Sequence, residues 1–331
     1  MAMPGFDPKW RDPPDYILGV TKEIWEDRGI STLTGSYADD IVVRSPASVV
    51  IGNANVIGAT MATLAEFPDR QLLGEDVIWC EAPSGGFLSS HRLISTATHM
   101  RPGAYGPATG KTLRYRIIAD CHAVDNQIND EWLIRDQGAI VRQIGMEPKD
   151  FARDMIHREG GPERCVQPLT PANDAPGPYA GSGNDDEWGA RAAQTISAIM
   201  DADFTAIPRA YDRAAFLSYP GGENALSYHG ADQFWMGLRA SFPNATFTIH
   251  HQIGRTDPDM PPRASVRWSL FGKHDGWGRF GTPTGAEVYV LGLTHFEFGA
   301  VVTGEPRIRR EFTLFDETAI WKQILLQTGD L

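Results

Sequence analysis

The chain has few cysteines, no long apolar run and no cluster of basic residues, and each shortage removes a class of protein. Only Cys80, Cys121 and Cys165 occur among 331 residues, odd in number and widely spaced. With no Cys-x-x-Cys, neither a disulfide framework nor a zinc knuckle is signalled. No stretch approaches the roughly 20 apolar residues of a membrane helix. The N-terminal Met-Ala-Met-Pro-Gly-Phe-Asp-Pro-Lys-Trp has no apolar core of a signal peptide. A cytoplasmic location and no membrane partner are therefore expected. Lys and Arg number 30 against 42 Asp and Glu, a formal net charge of −12, and no Lys/Arg run offers a local exception. Such a chain repels phosphate backbones, so nucleic acid is not an expected partner. A Gly-x-Ser-x-Gly nucleophile motif and a phosphate loop are both absent. His250 and His251 with His274 come nearest to a metal set, but adjacent strand residues point to opposite faces, and no metal is expected.

What is present suffices for buried cores: 42% apolar residues, 10% of the chain aromatic, and a length that favours about two domains. Residues 15–29 read as a helix with Ile17, Leu18, Ile24 and Trp25 on one stripe. Tyr37-Ala-Asp-Asp-Ile-Val-Val-Arg-Ser-Pro46 reads as a strand closed by proline. Val56 to Phe67 reads as a helix that stops at Pro68-Asp69. Strands follow at 71–80 and 87–100, then a Gly/Pro loop over 101–110. The stretch 111–145 organises the rest. A strand to about Val124 turns at Asp125-Asn126, and a second strand carries Glu131-Trp132 to about Asp136. A short helix with Ala139, Ile140 and Ile144 on its apolar face follows. These strands mix apolar with ionisable residues, more than a dry core would carry, and suggest a curved sheet around a pocket. Counting from the turn pairs 120–122 with about 130–132, and position 115 or so with Asp136. Counting from the loop places His99 opposite 111–113. His99, Tyr115 and Asp136 are thereby expected at one end of the sheet, with His122 nearer the hairpin tip.

Residues 160–187 hold five prolines and little apolar content, the composition of a linker. Beyond it the sequence starts over. Phe67-Pro68 recurs as Phe242-Pro243, Arg92 as Arg267, His99 as His274, Gly106 as Gly281 and Thr109-Gly110 as Thr284-Gly285, each offset by 175 residues. Tyr37 and Tyr211 differ by 174, and Glu131…Asp136…Ile140 answers to Glu311…Asp316…Ile320 at 180. The extra residues fall in a longer hairpin around Gly299–Pro306. Two copies of one unit of ~150 residues are inferred, a duplication rather than a solenoid. The expected domains are 1–159 and 188–331, joined by 160–187.

The Tyr-Ala-Asp-Asp-Ile strand, the helix ending in Phe-Pro-Asp, Thr98-His99…Gly110, and Glu131-Trp132…Asp136…Arg142-Gln143-Ile144-Gly145 together resemble the SnoaL-like polyketide cyclases of the nuclear transport factor 2-like superfamily. The resemblance covers both halves and is weaker in the second, where Phe312 replaces the tryptophan. It implies an α+β fold: two tandem cone-shaped barrels, each a bent antiparallel sheet closed by helices around one deep pocket. It also implies chemistry without metal or organic cofactor, and assembly into dimers, so a homo-oligomer is compatible with it. Ketosteroid isomerase in this superfamily carries its catalytic aspartate just before the proline of the first strand. Here Ser45 precedes Pro46 and Tyr219 precedes Pro220, which removes that base from both halves. The cyclases' acid/base aspartate on the last strand matches either Asp136 or, with a shifted alignment, Leu133.

The candidate chemistry is acid/base. Asp136 is a candidate base if it lines an apolar pocket that raises its pKa, and equally reads as the N-cap of the following helix. Its recurrence as Asp316 fits both readings. His99, recurring as His274, is a candidate acid/base partner or a structural histidine; His122, with Asp120 on one strand face, is a weaker dyad. Tyr37, Tyr115, Trp132 and Trp25 are expected to line the substrate pocket, with Trp79 as a further aromatic. The expected activity is cofactor-independent proton transfer on a small hydrophobic, aromatic or polycyclic hydroxy/carbonyl compound, of aldol, retro-aldol, dehydratase or isomerase type. The alternatives are an epoxide-hydrolase-like enzyme using Arg92 or Arg267, and a non-catalytic small-ligand binder.

Overall fold

The computed structural model describes residues 3–299 and 305–331. It divides into two compact units, Met1–Phe151 with Gln167–Gly181, and Ala152–Val166 with Ser182–Leu331.

In the first unit, α1 (Pro13–Trp25) starts behind Asp12, whose side chain accepts the Asp15 N–H, and its leading prolines stand where no backbone donor is needed. The sequence suggests a helix to residue 29. It ends at Trp25, and the left-handed φ of 61° at Arg28 is incompatible with continuing it. Next come α2 (Leu33–Ser36), β1 (Tyr37–Ser45), β2 (Ser48–Ile51) and α3 (Asn53–Glu66). The meander β3 (Gln71–Glu81), β4 (Phe87–Thr98), β5 (Thr112–Val124) and β6 (Gln127–Arg135) follows, then α4 (Gln137–Ile144); of α5 (Pro148–Arg158), the residues from Ala152 on belong to the second unit. The six strands lie in the order β2-β1-β6-β5-β4-β3. The β5–β6 turn uses left-handed Asp125 and Asn126, as that dipeptide permits. Cys121 faces Glu131 across it, and the His99 N–H donates to Lys111 O at 3.0 Å, both in the register counted from the turns.

One expectation is corrected: the sheet is mixed, not wholly antiparallel. β6 pairs with β1 in parallel, Val43 opposite Glu131. Between these two strands lie a hairpin, a helix and three further strands, a connection long enough to bring the chain back in the same direction.

The second unit repeats this order with α6 (Glu187–Met200), α7 (Ala206–Ala210), β7 (Tyr211–Tyr219), β8 (Glu223–Leu226), α8 (Tyr228–Ser241), β9 (Thr246–Arg255), β10 (Arg263–Lys273), β11 (Glu287–Gly299), β12 (Arg307–Leu314) and α9 (Glu317–Thr328). Its strand order, β8-β7-β12-β11-β10-β9, matches the first, and β7 and β12 are its parallel pair. Even the register is kept. Asp76 pairs with Arg92 and Arg92 with Ile118 in the first sheet; His251 pairs with Arg267 and Arg267 with Leu293 in the second. Two tandem α+β domains of one design make up the chain. Of the extra residues expected in the β11–β12 hairpin, 300–304 lie outside the described residues.

The Pro/Gly-rich stretch 160–187 does more than connect. Leu169 donates its N–H to Pro46 O at 3.0 Å. Asp174 pairs with Arg44 at 2.7 Å, and the Tyr179 N–H donates to Asp130 at 3.1 Å. Residues 167–181 are thus seated on β1 and β6. Residues before them pack in the second unit, where Ala152, Ile156 and Cys165 cluster with Leu325 and Glu159 pairs with Lys322 at 2.6 Å. Proline-rich chain cannot make a core of its own, but its pre-set extended backbone covers an existing sheet at low entropic cost.

Candidate active site in the first unit

Alternation along β6 sends Glu131, Leu133 and Arg135 to one face and Asp130, Trp132 and Ile134 to the other. The register carries the first face across the sheet. One row runs Val43, Glu131, Cys121, Ser89, Trp79; the next runs Leu133, Ala119, His91, Val77. Arg135 opposes Ile117 in the row after that, and Tyr115 opposes Ser95 beyond it. Ile41, Val43, Ala119 and Cys121 on this face belong to one buried cluster with Tyr16, Ile17 and Ile24 of α1. This is therefore the inner face, closed by the helix.

Solvent nevertheless reaches it. Tyr37, Trp25, Trp79 and Leu133 pack against the inner cluster and stay partly exposed, and so does Arg135. Glu131 lies among them. Its burial lifts the carboxyl from its ordinary 4.5 to about 7, with the Tyr37 hydroxyl and the positive charge of Arg135 holding it down. The group is thus poised between acid and base at neutral pH. On the next row, burial drives His91 down to about 4, so its imidazole stays neutral; Ser89 Oγ lies 3.3 Å from its Nδ1. At the far end, the guanidinium of Arg70 stacks over Trp25 at 4.2 Å and donates from Nε to Ser95 Oγ at 3.2 Å.

The second unit places quite different groups at the same positions. Glu311, the register equivalent of Glu131, is closed off by three hydroxyls: Tyr211 at 2.8 Å, Tyr219 at 2.9 Å and Thr313 at 2.7 Å. It is 0% exposed, against 7% for Glu131. The space in front of it is filled. Trp235, Trp268, Phe296 and Phe315, all fully buried, stand where the first unit has Thr60, Leu93, Cys121 and Arg135. Trp268 donates from its indole to Thr294 at 3.0 Å, which meets Thr313 at 3.0 Å. Large aromatic rings thus replace smaller or polar side chains in front of Glu311.

The residues singled out from sequence are distributed as follows. Asp136 is buried and caps α4, accepting the Ala139 N–H at 3.0 Å; Asp316 caps α9, accepting from Thr318 and Ala319. His99 is fully buried between Glu66 (Nε2, 3.1 Å) and Thr109 (Nδ1, 3.1 Å), where it pins the 101–110 loop against α3. His274 keeps the threonine, Thr284 at 3.1 Å, but Ser241 replaces the glutamate and its Nε2 has no partner. His99 and Asp136 do not face each other in a dyad. His122 lies near the hairpin as counted, but on the face opposite Glu131, between Asn129 and the ring of Tyr179 at 5.0 Å. Trp132 shares that opposite face, under the guanidinium of Arg44 at 4.6 Å, so it is not on the inner face. Tyr37, Tyr115 and Trp25 do lie on the inner side. Arg92 points away from it and pairs with Glu75 at 3.0 Å. Among the described residues no three His, Cys, Asp or Glu side chains gather as a metal site, and no helix is long and apolar enough to cross a membrane.

Glu131 and Arg70 were the groups that sequence reasoning passed over. The signal was present: a glutamate inside a strand, where the type is disfavoured, recurs in both halves together with an upstream tyrosine.

No protein-family model matches the sequence, and no curated protein does. Solved structures do match. IdmH from Streptomyces antibioticus is 21% identical with a TM-score of 0.36, covering 41% of this chain and 100% of its own. TsrD from Streptomyces laurentii is 16% identical with a TM-score of 0.35, covering 41% of this chain and 98% of its own. A SnoaL-like polyketide cyclase from Agrobacterium tumefaciens is 17% identical with a TM-score of 0.34, covering 41% of this chain and 99% of its own.

Proposed function

We propose that the first unit is a cofactor-independent acid/base enzyme acting on a small aromatic or polycyclic carbonyl compound, and that the second is a packed copy without a working pocket. The observation that carries this reading is Glu131: a carboxyl lifted to about 7 on a solvent-reached inner face, beside a guanidinium. A base works best when its pKa lies near the working pH.

The carboxylate of Glu131 takes a proton from carbon next to a carbonyl, and the C–H electron pair moves onto the carbonyl oxygen. Arg135 stabilises the oxyanion so formed, a charge that is larger in the transition state than in the substrate. The enolate carbon then bonds to a second carbonyl carbon of the same molecule, and the proton held by Glu131 goes to the new alkoxide. No electrons leave the system, and run backwards the same steps cleave the C–C bond. Tyr37 orients the carboxyl and lends it a hydrogen bond.

Exchange of solvent deuterium into enolisable aromatic ketones, followed by turnover of aromatic β-hydroxy carbonyl compounds, tests the reading. Glu131→Gln, folded as judged by circular dichroism, should lose on the order of 10²–10⁴-fold in rate. A variant that still exchanges and turns over at the wild-type rate removes Glu131 from the mechanism.

A further inference from the structure

We infer that the inner pocket of the first unit takes an aromatic carboxylate, the carboxylate seated on Arg70 and the reacting carbon toward Glu131. This rests on the reading of that pocket as catalytic, and adds to it the class and orientation of the substrate.

Arg70 is 1% exposed and forms no ion pair among the described residues. Its Nε is used by Ser95, Tyr115 also hydrogen-bonds the guanidinium, and among the described residues its Nη1 has no hydrogen-bond partner. What surrounds it is aromatic: Trp25 at 4.2 Å and Tyr115 at 5.9 Å from the guanidinium carbon to the ring centre. Burial and the like charge of Arg135 pull its pKa to about 10, which still leaves it charged at neutral pH. A buried cation with an idle donor costs folding free energy unless something compensates it.

The second unit is an internal control for whether the fold needs this arginine. At the positions of Arg70, Ser95, Tyr115 and Arg135 it carries Ala245, Leu270, Val290 and Phe315, in the same strand order and register. The same architecture closes without the cation, so Arg70 answers a need of the pocket rather than of the sheet.

A planar fork of N–H donors between aromatic rings matches a planar carboxylate on a ring system. The glutamate fixes the direction. A ligand carboxylate is repelled by ionised Glu131 and drawn to the arginine end, which delivers the opposite end of the molecule to the base. Six residues of β5 separate Cys121, opposite Glu131, from Tyr115, beside Arg70, about 20 Å at ~3.3 Å per residue. Allowing for the side chains, a ligand on the order of 10 Å long, two or three fused rings, spans the site.

Calorimetric titration of the full chain with 2-naphthoate and with its uncharged isostere 2-naphthamide tests this without any variant. The carboxylate should bind at least about tenfold tighter than the amide. Arg70→Gln should erase that preference and leave naphthamide affinity as it was; Glu131→Gln should keep or strengthen the preference. Equal affinities for the two probes in the wild-type chain, no binding of either, or a carboxylate preference that survives Arg70→Gln would each overturn the inference. Because binding is read directly, a Glu131→Gln variant that still turns over would refute the catalytic reading and leave this measurement intact.

Discussion

Trp268 lies across Gly292 on the neighbouring strand so closely that a Cβ on the glycine would come within 2.2 Å of the indole. The equivalent pair in the first unit is Leu93 and Ile117. The interior volume has been redistributed rather than lost: one large ring enters where two branched chains stood, and a glycine makes way for it. Gly292→Ala should therefore overpack the second interior and cost about 1–3 kcal/mol, read as a lower unfolding temperature. Turnover measured well below that transition should be unchanged.

The two glutamates should separate the roles of the two units. Glu131→Gln is expected to remove activity, whereas Glu311→Gln, buried among the hydroxyls of Tyr211, Tyr219 and Thr313, should leave kcat/KM within about twofold. Equal losses from both substitutions would mean that both interiors work.

Activity and stability should move in opposite directions with pH. Glu131 serves as a base only when ionised, so kcat/KM should rise as pH passes through about 7. The folded chain keeps on this carboxyl a proton that the unfolded chain releases near 4.5, so this group's contribution to stability falls as pH rises from about 4.5 to about 7. Glu311 is raised to about 7 by the same cause and adds to the slope. Thermal unfolding of wild type and Glu131→Gln across that window should show a shallower pH dependence in the variant.

Asp136→Ala should act on stability and not on chemistry. Loss of a helix cap costs about 1 kcal/mol, and turnover at low temperature should stay near wild type. A hundredfold loss of rate with an unchanged unfolding temperature would return Asp136 to the mechanism.

His99→Ala should destabilise more than His274→Ala. Both remove a buried ring, but only the first strips Glu66 of a partner. Glu66 keeps the Ala104 and Tyr105 N–H donors, so the difference between the two unfolding free energies should be about 1.5–3 kcal/mol, the worth of one hydrogen bond to a charged group.

Much of the architecture could be read from the chain because duplication doubles every signal. The 175-residue offset that links His99 with His274 in sequence is the offset that links their sheets in register. The parallel β1–β6 pair was not legible, since strand direction depends on the path of the connection and not on side-chain pattern. Repetition by itself could not choose between the two readings of Asp136 and His99. Asp136 and His99 recur because helix caps and loop pins recur with any fold. The proposed chemistry rests on positions where the copies differ, Arg70 against Ala245 and Arg135 against Phe315. Glu131 recurs as Glu311, and the packing in front of each is what differs.

The way the chain is shared between the units governs how it can be taken apart. Residues 152–166 belong with the second sheet and 167–181 with the first, so no single scission yields both halves whole. A fragment ending at Arg158 would leave the first sheet without Asp174 and Tyr179, and Arg44 and Asp130 without the partners that residues 167–181 supply. A fragment that keeps the first sheet whole would need residues 167–181 restored, either by circular rearrangement of the gene or as an added peptide.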